Sequence, residues 1–147
     1  MRRGVSVVVP IYNEEGNVVK LHEEILEICK GGGYDYEIIF INDGSSDKTD
    51  ELCRSLIPLK YICFRRNFGQ TAAMDAGIKA ATKEFIVTMD GDGQNDPTDI
   101  PCMLNYLLEK NLDMVSGWRK NRKDTFMKRF ISRGANLLRY LFVHDGI

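Results

Sequence analysis

"EFIVTMDGDGQNDPTDIPCMLNYLLEK", residues 84–110, holds the pattern on which the fold turns. An apolar run that reads as a strand is followed by an acidic turn carrying Asp90, Asp92 and Asp96, and Pro97 then starts a helix. The same alternation extends outward in both directions. "VSVVV" (5–9) is a short β-branched run, followed by residues 14–30, where Val18, Leu21, Ile25 and Ile28 recur at helical spacing. Three glycines at 31–33 break that helix. "YEIIFI" reads as a second strand, and the turn after it offers Ser46 or Asp47 as cap to a helix that Pro58 closes. "KYICF" is a third strand. From about Gly69 a helix follows whose small residues Ala72, Ala73, Ala76, Gly77 and Ala80 allow close approach to a sheet. Downstream, "LDMVSG" (112–117) reads as a fifth strand and 126–141 as an amphipathic segment.

Short, continuous Val/Ile-rich strands alternating with helices indicate a mostly parallel sheet covered on both faces, an α/β, Rossmann-like architecture. With 147 residues, 44% of them apolar, the chain is the size of one domain with a real core, and residues 1–147 are expected to form a single unit. No apolar run reaches 18 residues, so no membrane-spanning segment is expected. The two N-terminal arginines precede an apolar run that stops at Pro10, which reads as a strand rather than a signal peptide. Cys29, Cys53, Cys63 and Cys102 form no CxxC pair and are expected to be buried free thiols.

Charge is unevenly placed. Residues 1–117 carry 12 Lys/Arg against 19 Asp/Glu, a net −7, whereas residues 118–140 carry 8 Lys/Arg against Asp124 alone, a net +7. A basic end after an acidic body points to an anionic partner.

In parallel α/β sheets, ligands sit beyond the carboxyl ends of the strands. The segments there are "PIYNEE", "NDGSSD", "RRNFGQ", "DGDGQND" and "GWRKNRK". An EF-hand loop starting at Asp90 would need glycine at its sixth position and glutamate at its twelfth, and these are Asn95 and Pro101. Two readings remain for Asp90 and Asp92: an acidic turn before a helix capped by Asp96, or a pair that holds a hard cation together with phosphate oxygens. The second is favoured. "NDGSSD" lacks the lysine of a P-loop, and no GxGxxG follows the first strand. Asp43 could bond a base or ribose, Tyr12 could stack on a base, and Glu14 is either a helix N-terminal charge or a nucleoside contact. A sugar nucleotidyltransferase should show a glycine-rich loop after the first strand, which "PIYNEEGN" is not.

"VSVVVPIYNEE", "INDGSSDKT", "RNFGQTAAMDAGIKAA", "VTMDGDGQNDP" and "VSGWRKNRKD" together resemble, in order and spacing, the family 2 inverting glycosyltransferases of GT-A fold, most of all the dolichyl- or polyprenyl-phosphate sugar synthases. The resemblance implies a UDP- or GDP-linked sugar donor, Mg2+ or Mn2+, and a lipid-phosphate acceptor at the inner face of a membrane, or alternatively a polysaccharide acceptor. No nucleic-acid partner is expected. Pro10, Tyr12, Asn13, Glu14, Asp43, Asp90 and Arg129 would contact the donor. Asp90, Asp92 and Gln94 would form a DxDxQ metal site. Asp92 and Arg119 would serve catalysis, with Lys128 and Arg133 as further basic candidates. Family members continue beyond the point where this chain reads "FVHDGI", so the 147 residues are expected to be the donor-binding part of a longer protein or an unusually short member, with a donor-binding fragment without activity as the alternative to an enzyme.

Overall fold

The computed structural model describes residues 2–117. The chain divides after Val115 into two units, Met1–Val115 and Ser116–Ile147, and the fold that follows is that of the first. Its elements alternate as the sequence implies: β1 (Gly4–Ile11), α1 (Val18–Gly31), β2 (Asp35–Asn42), α2 (Thr49–Ser55), β3 (Lys60–Cys63), α3 (Gln70–Ala80), β4 (Phe85–Thr88) and α4 (Asp99–Glu109). All strand pairings are parallel, in the order β3-β2-β1-β4.

That order fixes which face each helix covers. The chain steps outward from β1 to β2 to β3, then crosses back to place β4 on the other side of β1. Because crossovers between parallel strands are right-handed, a reversal of direction moves the connecting helix to the opposite face. The core shows this. Val5, Val7, Val9, Ile11, Ile38 and Phe40 pack with Val18, Leu21 and Ile25 of α1, Cys53 of α2, and Ile100 and Leu104 of α4. Val8, Ile39 and Ile41, which alternate with them along the strands, meet Ala73 of α3.

The small residues of α3 do what their size suggests. A Cβ at Gly77 would stand 2.4 Å from Val8 Cγ1 and 2.5 Å from Ile41 Cδ1, so the helix lies against the sheet at glycine distance. Ala73, one turn earlier, is fully buried.

Two expectations need correction. The fifth strand over residues 112–117 is not formed. Asn111 turns the chain out of α4 with φ 49°, Leu112 and Met114 are exposed, and no described strand offers this segment a ladder; two-residue alternation without a partner does not make a strand. Of the four cysteines, Cys29 and Cys53 are buried but Cys63 and Cys102 are exposed. Burial pushes the Cys29 thiol up to about 11, and burial followed by the Asp50 charge pushes Cys53 up to about 12, so neither is a thiolate nucleophile near neutral pH. His22 of α1 is buried, with Nε2 2.9 Å from the Pro58 carbonyl and its ring edge-on to Phe40.

Candidate functional site

At the carboxyl edge of the sheet, where β1 lies between β2 and β4, a cavity of about 440 Å³ opens. This is the topological switch point, where loops leaving neighbouring strands diverge and leave a crevice. The end of β1 and the loop after it supply Pro10, Ile11, Tyr12 and Glu14, and the end of β2 supplies Asp43. The loop after β3 adds Asn67, Gly69 and Gln70, and the loop after β4 adds Asp90, Gly91 and Asp92.

Asp43 is 3% exposed, and both of its oxygens are engaged. Oδ1 accepts the Phe68 N–H at 2.7 Å and Oδ2 the Gly69 N–H at 2.9 Å, so a carboxylate from β2 supplies the negative charge at the start of α3. Gly69 can take this position because it has no Cβ: its φ is 95°. Gly44 is needed on the other side, since with φ 71° a Cβ there would stand 2.4 Å from the Arg66 carbonyl carbon. Each Asp43 oxygen keeps one further acceptor position for a ligand.

The loops after β1 and β2 are stitched to one another. The Asn13 N–H donates to Ser45 Oγ (2.9 Å), Asn13 Oδ1 accepts the Ser46 N–H (2.8 Å), and the Glu14 N–H donates to Thr49 Oγ1 (2.8 Å). Glu15 and Asp47 exchange with the same pair of loops: the Glu15 N–H reaches Asp47 Oδ2, and Glu15 Oε2 accepts the Lys48 N–H. Asp47, one residue before the Lys48 N-cap of α2, also accepts the Thr49 N–H, an aspartate turn leading into the helix. Burial raises its pKa, but the bonds from Thr49 and Glu15 outweigh that and hold the carboxyl below its ordinary range. The stitching rests on a deeper chain in which Asn42 Oδ1 accepts the Ser45 N–H, Asn42 Nδ2 donates to the Tyr61 hydroxyl, and Tyr61 donates to Asp50.

On the opposite wall, Gly91 is clamped: a Cβ there would stand 2.7 Å from Ile11 Cγ2 and 2.9 Å from the Pro10 carbonyl oxygen. This fixes the backbone between the two aspartates. Asp90 is half-buried, with Oδ1 accepting from Gln70 Nε2 at 2.8 Å. Asp92 is exposed, and its Oδ1 accepts the Gln94 backbone N–H at 3.0 Å. Asp96 bonds both the N–H and the hydroxyl of Thr98, which hold its carboxyl below the ordinary range and secure the turn into α4.

Of the residues singled out in the sequence, the cavity brings together Pro10, Tyr12, Glu14, Asp43, Asp90 and Asp92. Asn13 and Gln94 are not in its lining. Asn13 is used in loop stitching, and Gln94 meets Asp92 through its backbone. Arg119, Lys128, Arg129 and Arg133 lie outside the described residues. The sequence reading did not assign Asn67, Gly69 or Gln70, although the segment "NFGQ" sits at a strand end.

The electrostatics are one-sided. Among the described residues, the lining carries the carboxylates of Glu14, Asp43, Asp90 and Asp92 and no lysine or arginine. No cluster of three or more His, Cys, Asp or Glu side chains suited to a metal occurs among them. A cation here would therefore rest on two carboxylates and take its remaining oxygens from a ligand, water or the amide side chains. These are hard oxygen donors only, which fits magnesium or manganese. Among the described residues, no helix is long and apolar enough to cross a membrane.

The model of the family described as "Glycosyl transferase family 2" matches residues 6–143. A dodecaprenyl-phosphate galacturonate synthase of Rhizobium johnstonii is 45% identical over 140 residues, covering 91% of this chain and 41% of the relative. An undecaprenyl-phosphate 4-deoxy-4-formamido-L-arabinose transferase of Pectobacterium carotovorum is 37% identical, covering 92% and 43%. The chain thus spans about two fifths of the length of these curated relatives. Among solved structures, a mannosyltransferase of Pyrobaculum calidifontis in complex with GDP-Man and Mn2+ superposes with a TM-score of 0.62 at 23% identity, over 73% of this chain and 33% of the other. A glucosyl-3-phosphoglycerate synthase of Mycobacterium tuberculosis in complex with UDP gives 0.60 at 24% identity, over 72% and 40%.

Proposed function

The chain belongs to glycosyl transferase family 2, and from that premise we propose that it binds a nucleotide-activated sugar and passes the sugar to a polyprenyl phosphate at a membrane surface. The observation that carries this reading is the carboxylate pair Asp90 and Asp92 facing Tyr12, Glu14 and Asp43 across one cavity. Tyr12, 47% exposed, offers a ring for a base to stack on. Glu14 and the further acceptor positions of Asp43 suit the hydroxyls of a nucleoside. The names of the two curated relatives support the acceptor class.

An anionic diphosphate will not enter a cavity lined by four carboxylates unless positive charge accompanies it. Asp90 and Asp92 would hold that charge as Mg2+ or Mn2+, with Gln94 as an additional oxygen donor; the complex of the mannosyltransferase neighbour with Mn2+ supports this. When bound, such an ion neutralises the charge that develops on the leaving diphosphate. The chain's own residues then orient the donor so that an acceptor oxygen attacks the anomeric carbon opposite the diphosphate. One C–O bond forms as the other breaks, the configuration inverts, and the nucleoside diphosphate leaves with the electron pair. A lipid phosphate oxygen is already ionised at neutral pH, so no general base is required, unlike the case of an alcohol acceptor. The basic segment 118–140, which includes Arg119 and Arg129, suits an anionic acceptor and the donor phosphates.

A panel of UDP- and GDP-sugars, titrated with Mn2+ and followed by a transfer assay on undecaprenyl phosphate in detergent, tests the proposal. Donor binding that requires Mn2+ and disappears in Asp92→Ala without unfolding is the expected result, and metal-independent binding would overturn the assignment of the pair. Because the chain spans two fifths of its relatives, a second reading is a donor-binding unit that does not turn over alone. Tight donor binding without transfer or donor hydrolysis would select it.

A further inference from the structure

We propose that Gln70 is a positioning residue for the divalent cation at the Asp90–Asp92 pair, a role that rests on the reading of that pair given above. Gln70 is the first residue of α3, and its backbone is anchored before any ligand arrives. Asp43 holds the N–H groups of Phe68 and Gly69, while Ala73 and Gly77 seat the helix on Val8 and Ile41. From that root, Gln70 Nε2 reaches Asp90 Oδ1 at 2.8 Å. An ionised carboxylate only accepts, so the amide must present its nitrogen. Since Gly91 is clamped against Pro10 and Ile11, the backbone at Asp90 has little room to move, and what remains to be chosen is the side-chain orientation. The hydrogen bond from Gln70 holds Oδ1 in its orientation.

The chemical type of the donor matters as much as its place. A neutral amide orients a carboxylate without adding a positive charge that competes with a cation. An ammonium at the same position would orient it equally well and cancel that charge. The span is also set by length: α3 and the DGD loop are separate walls of the cavity, and the shorter side chain of asparagine would fall one methylene short. Gln70 is itself exposed at a helix start, so its substitution removes the contact without opening the core.

The test is Mn2+ binding to the 147-residue chain, followed by electron paramagnetic resonance with saturating UDP and, separately, GDP. Metal-free affinity for uridine and guanosine, which carry no phosphate, and thermal melting are measured alongside. Gln70→Ala and Gln70→Asn are expected to weaken Mn2+ binding about tenfold, the usual effect of removing a partner behind a metal ligand, with melting and nucleoside affinity unchanged. Gln70→Lys should weaken it further, although it keeps a donor. If Gln70→Ala binds Mn2+ like the parent while Asp92→Ala does not, the positioning role is wrong and the cation site stands. A parent chain that binds no Mn2+ overturns both. An equal loss of nucleoside affinity in Gln70→Ala would make the residue a nucleoside contact and overturn the positioning role.

Discussion

Asp43 and Gly69, 26 residues apart in the chain, are joined by a 2.9 Å hydrogen bond from the Gly69 N–H to Asp43 Oδ2. With its companion bond from Phe68, it ties the end of β2 to the start of α3 and sets one wall of the cavity. Asp43→Asn keeps the shape but replaces one acceptor with an NH2 group facing an N–H. Urea denaturation should show a loss of roughly 2–3 kcal/mol, the scale of bonds to a buried charged group. Donor affinity should fall with it.

Glycine substitutions should rank by geometry. Gly44→Ala combines left-handed strain with a backbone clash at Arg66 and should cost the most, roughly 3 kcal/mol or more. Gly77→Ala gains about 1 kcal/mol in helix propensity but forces Val8 and Ile41 apart at about 1–3 kcal/mol, so a net loss near 1 kcal/mol is expected. A Cβ at Gly31, the last residue of α1, meets nothing within 4 Å, and Gly31→Ala should be neutral or slightly stabilising. Thermal or urea midpoints measured in parallel check the order.

Glu37 makes stability depend on pH on the acid side. Burial raises its pKa, but bonds from Ser6 and from the Thr82 N–H and hydroxyl, with the Lys60 ammonium nearby, outweigh this and hold it below the ordinary glutamate value. A depressed folded pKa contributes stability that is fully present above the unfolded value and is lost as pH falls through the folded one. Urea midpoints taken at pH 7, 5 and 3 should therefore decline toward acid, and Glu37→Gln should be less stable at pH 7 with a shallower decline. A parallel decline in parent and variant would contradict this.

Tyr61→Phe removes the hydroxyl that links Asp50 to Asn42. Asn42 is 1% exposed, so its Nδ2 would lose that acceptor in the interior. A destabilisation of about 1–3 kcal/mol is expected. Because Asn42 also holds Ser45, and Ser45 accepts from Asn13, donor affinity should weaken severalfold even though Tyr61 does not line the cavity.

Much of this architecture is written locally. Runs such as Val5–Val9 are buried on both faces, so their composition alone marks parallel strands, and the carboxyl-edge loops could be named as the place to look. What the sequence did not reveal depends on pairing between distant segments. Leu112–Gly117 has the alternation of a strand but no described partner. His22 looks like any helix-face histidine until Pro58 is seen across from it. Asn13 has the chemistry of a ligand contact, and its tie to the loop after β2 shows only once two distant turns meet. Gln70 carries no local signal, because its relation to Asp90 exists only once two loops from different strands converge.

The place of β1 between β2 and β4 has a consequence for folding order. Pairing Val5–Val8 with Phe85–Thr88 closes a span of about eighty residues, the most distant contact in this sheet. Closing a span that long carries an entropic cost before any contact offsets it. The aspartate pair lies just beyond that last strand, so the cavity has no counterpart in a partly assembled chain. Nucleotide binding during refolding is therefore a clock for the completion of the sheet, distinct from the earlier appearance of helix.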